Sequence, residues 1–360
     1  MSILPYCRKC GTKLEENAQF CYKCGTPIAP LYAPSPPPPP QPHIPLRKDP
    51  VVVAAAILAA LLLVGVFVAA LLIAPIATID IEQTFQDNTA GVKSLILNFQ
   101  SNIAEVEIFT QKISSYNFLI ALDGTASKGL FSGDAGNPVQ LSMYNNTQNN
   151  ALTVNAILEE STGFSRLNIH CKIYVNPELD LKLNVTSKAG QVTLTGDSDS
   201  VFQYLNLQSS AGEVQANLQN STISGNVTLQ TQAGTVNLRM NQANLVGNSS
   251  MTLQTNAGSV SMDITETKTQ KGNLQIDALT DLGSINLGLT IDNGIAARIT
   301  STTNLGSIQT SQENFSGNQS SIESNNYPAA SNIEINNKTN LGSININANY
   351  QSSEIPITKN

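Results

Sequence analysis

From about residue 180 to residue 350, apolar and polar side chains alternate in short runs, and the runs recur. In the stretch around Gly234, residues Val227, Leu229, Val236, Leu238 and Met240 fall on one side of an alternating pattern. A period of two predicts strands with one buried face. Alignment on one glycine gives SKAGQV at Gly190, SSAGEV at Gly212, TQAGTV at Gly234 and TNAGSV at Gly258. It continues with TDLGSI at Gly283, TNLGSI at Gly306 and TNLGSI at Gly342. Seven residues before each glycine stands an apolar residue: Leu183, Leu205, Val227, Met251, Ile276, Ile299 or Ile335. Two residues after it stands Val192, Val214, Val236, Val260, Ile285, Ile308 or Ile344. Three residues before it only Ser or Thr occurs: Ser187, Ser209, Thr231, Thr255, Thr280, Thr303 and Thr339. A degenerate earlier copy places Ala104 where the glycine would be, with Leu97, Phe99, Ser101, Ile103, Val106 and Ile108 around it.

Two strands per unit of 22–25 residues amount to one coil of a parallel β-solenoid. The glycine marks the corner between strands, where a positive φ is cheap only for Gly. Stacked coils let equivalent Ser, Thr and Asn side chains form ladders along the stack. Parallel crossovers favour a right-handed coil. An antiparallel sandwich does not explain why seven turns share one signature. Gly234 and Gly258 are then expected at equivalent corners of neighbouring coils. Gly234→Val should cost about 1–3 kcal/mol, and Gly234→Asn less, because Asn enters the left-handed region more readily. Residues 173–350 are the expected solenoid, 351–360 its tail, and 80–172 a β-rich entry with the degenerate coil. Within that entry Val139–Tyr144 and Ala151–Glu160 predict an antiparallel hairpin cap. The longer spacing before Gly342 predicts a loop over 313–328.

The glycine-corner pattern, with the run Ile173–Val192 leading into it, resembles the putative-adhesin β-solenoid family over about residues 90–350. The resemblance implies a fold and a surface role. It carries no catalytic residues to transfer.

The periodicity changes at Val51–Ile73, which has no charged or polar side chain. A helix of that length rises about 34 Å, against a bilayer core of roughly 30 Å, so the run predicts a transmembrane signal-anchor over 51–74. A buried soluble helix would be shorter and amphipathic. A cleaved signal peptide would not follow fifty residues of structured-looking sequence.

Ahead of it, residues 1–28 hold two C-x-x-C pairs, Cys7/Cys10 and Cys21/Cys24, each followed by glycine (Gly11, Gly25). Each pair can present two sulfurs from one tight turn, and four thiolates make a tetrahedral Zn(II) site. So short a segment cannot build a core, and the metal must supply folding energy. A redox pair or disulfides would not account for two matched knuckles. The CxxCG…FCxxCG arrangement, with Phe20 before Cys21, resembles the short double-CxxC zinc-ribbon family. That resemblance implies a structural Zn(II) held by Cys7, Cys10, Cys21 and Cys24 and a protein-docking role. Residues 29–50 are a proline-rich linker, with Pro36 to Pro40 in one run, and read as a stiff spacer rather than an SH3- or WW-type ligand.

Charge and cysteine usage refine this picture. Residues 1–50 carry six Lys/Arg against three Asp/Glu, and residues 75–360 carry 13 against 23. With Arg47 and Lys48 before the apolar run and Asp80, Glu82 and Asp87 after it, the expected topology is N-terminus in the cytoplasm and C-terminal domain outside. Only Cys171 lies in the large part, which therefore has no internal disulfide. An acidic solenoid disfavours nucleic acid. Carboxylates are scattered rather than clustered, and the closest pair, Asp197 and Asp199, sits in a GDSDS turn, so an enzyme is not expected. Adjacent His170 and Cys171 should face opposite ways. Eight N-x-S/T sequons, at Asn145, Asn184, Asn220, Asn226, Asn248, Asn314, Asn318 and Asn337, all follow the apolar run.

The expected fold class is mainly β: a parallel β-solenoid ectodomain, a small zinc ribbon and one transmembrane α-helix. The expected function is non-enzymatic surface binding or scaffolding, with the lipid bilayer, a protein bound by the ribbon and an extracellular glycan or protein as partners. The alternative is a transmembrane sensor whose ribbon docks a cytoplasmic partner.

Overall fold

The alternating runs become strands of two facing sheets. In the computed structural model each coil contributes one strand to each sheet, and the apolar positions point into the space between them. The described residues are 6–15, 18–28, 50–73, 77–102, 104–112, 115–128, 136–161, 164–196, 198–268, 270–292 and 294–351. Residues 29–49 of the proline-rich linker, the tail after Gln351, Ile103 and Asp197 lie outside them. The chain divides into two units, residues 1–64 and 65–360.

The expected fold class needs one correction. A helix, α1, does form over Pro50–Ile73. Among the described residues, however, no helix is long and apolar enough to cross a membrane. The transmembrane element is therefore withdrawn.

The solenoid itself forms in the expected register. Val227 pairs in parallel with Met251 and Leu205, and Val236 with Val260 and Val214. All six are buried. Gly234 and Gly258 accordingly occupy equivalent corners of adjacent coils, one strand spacing of about 4.8 Å apart.

The corner is built more tightly than a positive φ alone would require. The corner glycines from Gly190 to Gly342 have φ between 131° and 155°. A Cβ on Gly234 would stand 2.1 Å from the Gly212 carbonyl oxygen. This φ lies far from the left-handed helical well near +57° that Asn can enter. The expected tolerance of Asn is therefore withdrawn too.

The glycine carbonyl that crowds the next corner also accepts a hydrogen bond from that coil's invariant hydroxyl. Ser209 Oγ donates to Gly190 O at 2.8 Å, Thr231 Oγ1 to Gly212 O at 2.9 Å and Thr255 Oγ1 to Gly234 O at 3.0 Å. Thr280, Thr339 and Thr303 repeat the bond at 3.0 Å to Gly258, Gly283 and Gly342. Ser187 makes it to Ala104 O at 3.2 Å. The carbonyl cannot be left unpaired where water is excluded, which restricts this position to Ser or Thr.

Both ends depart from sequence order. The coil of Gly342 sits between those of Gly283 and Gly306: Ile344 pairs with Ile285 on one side and Ile308 on the other. The chain skips a slot, builds the end coil, turns through an antiparallel hairpin of Phe315–Asn318 with Ser321–Ser324, and returns to fill the gap. The expected loop over 313–328 is thus the means of a swap. At the other end the Ala104 coil lies between the Gly190 coil and a coil made by Ala151–Glu160 and Phe164–Val175. The expected hairpin is present, with Val139–Gln148 antiparallel to Ala151–Glu160. Ala77–Asp87 and Phe118–Lys128 add two antiparallel strands to the opposite sheet.

One coil is incomplete, and side chains replace its backbone. The short strand Asn244–Leu245 pairs with Thr222 and Ile223 on one side. On the other, Glu266 Oε1 accepts the Ala243 N–H at 2.9 Å and Gln270 Oε1 accepts the Leu245 N–H at 2.8 Å. Gln270 Nε2 returns a bond to Ala243 O at 2.7 Å. Both residues are buried. Desolvation pushes the Glu266 carboxyl up to about 8, against the bond from Ala243 and the charge of Lys268.

Candidate metal centre

The two knuckles of the N-terminal segment adopt the same local structure, fourteen residues apart. In the first, the Cys7 N–H bonds to Thr12 O and the Gly11 N–H to Cys7 O, each at 2.8 Å. In the second, the Cys21 N–H bonds to Thr26 O at 2.9 Å and the Gly25 N–H to Cys21 O at 2.8 Å. These bonds close a turn that needs a left-handed residue at its end. Gly11 and Gly25 both take φ of 69°, as the sequence predicts. Single antiparallel bridges, Tyr6 with Lys13 and Phe20 with Pro27, frame the turns.

The turns bring all four thiols together, with every sulfur within 4.8 Å of the others. Cys7 Sγ lies 3.7 Å from Cys24 Sγ, and Cys10 Sγ lies 3.6 Å from Cys21 Sγ. Four sulfurs about 2.3 Å from a tetrahedral Zn(II) would be separated by about 3.8 Å, so the donor set fits zinc. Cys7 and Cys21 are buried, while Cys10 and Cys24 are exposed.

Two residues not singled out from sequence attend the exposed pair. Thr12 Oγ1 lies 3.3 Å from Cys10 Sγ, and Thr26 Oγ1 lies 3.2 Å from Cys24 Sγ. The Thr12 hydroxyl, its backbone N–H and the Cys24 thiol hold the Cys10 thiol down at about 6. The Thr26 hydroxyl and N–H lower Cys24 in the same way. Thiolate is the form that binds metal. The signal for these residues is the doubled string C-x-K-C-G-T, in which Thr repeats as faithfully as Gly.

Residues 6–28 match the zinc-ribbon domain family. The ribbon carries a structural zinc ion, as its clustered thiols require. Among curated protein sequences none matches the chain. Among solved structures, the chain is similar to a "putative cell adhesion protein" from Clostridium sporogenes ATCC 15579 at 11% identity and a TM-score of 0.34, covering 75% of this chain and 100% of that one. It is similar to a "putative adhesin" from Parabacteroides merdae ATCC 43184 at 12% identity and a TM-score of 0.22, covering 75% and 95%. Another from Bacteroides fragilis NCTC 9343 gives 12% and 0.23, covering 74% and 97%. The solenoid assignment rests on the parallel pairing and not on these likenesses.

The other residues weighed from sequence fall as follows. His170 and Cys171 do face opposite ways: His170 Nδ1 lies 3.1 Å from Glu105 Oε2 on the outer face, and Cys171 is buried, which pushes its thiol up. Glu107, Glu159 and Glu160 stay at the surface. On the outer face of the solenoid, amides link coil to coil. Asn98 Nδ2 donates to Asn155 Oδ1 at 2.9 Å, Asn184 to Asn98 at 3.4 Å and Asn206 to Asn184 at 2.7 Å. A groove of about 630 Å³ crosses four coils farther along, lined by Ser261, Asp263, Asn286, Asn345, Asn347 and Gln309. Gly288 opens it, because in the outward row Asp263–Gly288–Asn347–Ser311 it alone lacks a side chain.

Proposed function

We propose that the protein is a non-enzymatic surface protein whose solenoid presents a binding or scaffolding face. Cys7, Cys10, Cys21 and Cys24 are proposed as the zinc ligands that fold its ribbon. The observation that carries the binding reading is the Gly288 groove. Its walls are amides, hydroxyls and one carboxylate, held at strand spacing by a sheet whose other face is a packed core. Asn345 Nδ2 is fixed to Asn286 Oδ1 at 2.9 Å, so the wall is preorganised. Rigid, evenly spaced donors and acceptors suit an extended polar ligand, a glycan or a protein strand outside the cell.

Gly288→Gln tests this. A Cβ there meets Asp263 Oδ1 at 3.5 Å and Met262 O at 3.8 Å, both ordinary contacts, so the fold accepts the change while the groove is filled. Binding of the full chain to a glycan array or to intact cells should fall with unchanged melting. Unchanged binding, or no binding by the wild type, sinks the reading.

A docking role for the ribbon has its own support. Tyr6, Phe20 and Tyr22 are all exposed on it, and exposed aromatics anchor protein interfaces. Under this second reading the ribbon receives a protein partner and the solenoid acts as a sensor. Capture of one defined protein by the wild-type chain, lost in Tyr22→Ala with zinc content unchanged, would favour it.

A further inference from the structure

All eight sequons satisfy N-x-S/T, but the fold separates them. Asn337 is only 2% exposed, and its Nδ2 donates to Ser301 Oγ at 3.2 Å in the interior. The hydroxyl of its sequon, Thr339, is the buried donor to the Gly283 carbonyl. A glycan there is incompatible with the coil. Asn314 is exposed, but its Nδ2 is committed to Tyr350 O at 2.8 Å. Asn184 is held on both sides within the asparagine ladder. Asn220 and Asn248 accept bonds from Lys268 and Asn273 at turns between coils. In the Asn220 sequon, the Thr222 hydroxyl is occupied by Asn244 Nδ2 at 3.4 Å. Asn145 and Asn226 are exposed but lie within strands.

Asn318 is arranged differently. It ends the first strand of the Phe315–Ser324 hairpin, beside an exposed turn at Gln319 and Ser320. Its Oδ1 accepts the Ser320 hydroxyl at 2.8 Å and the N–H groups of Ser320 and Ser321 at 3.0 Å each. The carboxamide is thereby fixed with its Nδ2 turned away from those donors, and the sequon hydroxyl is already held against it. Amide and hydroxyl are the two groups an N-glycosylation sequon must offer together.

We propose that Asn318 is the N-glycan acceptor of this protein. The donor would be an oligosaccharide carried on a polyisoprenyl diphosphate. A bond forms between Asn318 Nδ2 and the anomeric carbon, and the anomeric C–O bond breaks with its electron pair leaving on the lipid diphosphate. One amide proton passes to a carboxylate base of the transferase. The hairpin caps the end of one sheet, so a glycan on Asn318 also shields that end of the solenoid from strand addition by other chains.

This inference rests on the surface reading, and its test is separable from it. The folded full chain is incubated with an oligosaccharyltransferase and a polyisoprenyl-diphosphate oligosaccharide, and glycopeptides are mapped by mass spectrometry. Asn318 should be the most occupied sequon, with Asn337 unmodified. The added mass at this site should vanish in Asn318→Gln and in Ser320→Ala, both melting like wild type. An unmodified Asn318, preferential use of another sequon, or a glycan on Asn337 in the folded chain overturns the assignment. Protease treatment of intact cells reports on the surface reading independently. A chain shielded there but modified on Asn318 in vitro loses the surface reading and keeps the acceptor site.

Discussion

A Cβ built on Gly258 would stand 1.9 Å from the carbonyl oxygen of Gly234 in the neighbouring coil. Neither backbone can retreat without breaking the parallel ladder on both sides. Gly258→Ala should therefore destabilise the solenoid by at least about 1–3 kcal/mol, and Gly258→Asn by no less than Ala. Gly247 is the control: its φ of 78° lies near the well that Asn can enter, and nothing approaches its Cβ position. Gly247→Asn should melt close to wild type. Urea titrations of the three variants check this, and a mild Gly258→Asn would contradict the close-approach account.

The hydroxyl that serves the same carbonyl makes a second prediction. Thr255→Val keeps the shape but leaves Gly234 O without the bond from Thr255, for an expected loss of about 1–3 kcal/mol. Thr303→Val, at a half-buried position in the end coil, should cost less because water can replace the hydroxyl. Equal losses at the two sites would argue against desolvation as the cause.

Glu266 sets a pH dependence. Its folded-state pKa of about 8 lies above the ordinary value of 4.5, so the folded protein holds a proton that the unfolded chain has lost between those limits. Its contribution is fully present below about pH 4.5, declines as pH rises, and is lost above about pH 8. The decline should be on the order of a few kcal/mol. Glu266→Gln should flatten stability across that window. A slope that persists in the variant would assign it to other groups.

The zinc centre predicts one Zn(II) per chain, lost in Cys21→Ser. Thr12→Val should retain the metal but bind it more weakly and with a midpoint shifted to higher pH, since the hydroxyl favours the Cys10 thiolate. Chelator competition across pH reads both effects. Wild-type-like zinc affinity in Cys21→Ser would remove that ligand from the set.

The swapped order of the last coils is open to cross-linking. Leu282, Leu341 and Leu305 stand exposed at successive corners, with Leu341 paired to each of the other two. Cysteines at 282 and 341 would have Cα atoms about 4.8 Å apart, within disulfide range, whereas 282 and 305 are two spacings apart. Oxidation should cross-link the first pair and not the second. The opposite result would restore sequence order to the stack.

The sequence by itself determined the repeat. Val227, Met251 and their equivalents are apolar because they face the space between the sheets. That requirement recurs identically in every coil, so it is visible as a period. It also determined the ribbon, because thiol spacing and a left-handed glycine are local matters, and the doubled Thr12 and Thr26 were there to be read. Tertiary structure alone decided why Ser or Thr precedes each corner, since its partner carbonyl belongs to another coil. It decided that Gly342 lies between Gly283 and Gly306, because all coils present nearly the same edges and local sequence does not choose among slots. It decided that Glu266 fills the place of a strand, although an acid in an inward register was a sign. It also separated Asn318 from Asn337, both N-x-S/T sequons, because burial and hydrogen bonding depend on what packs over each amide.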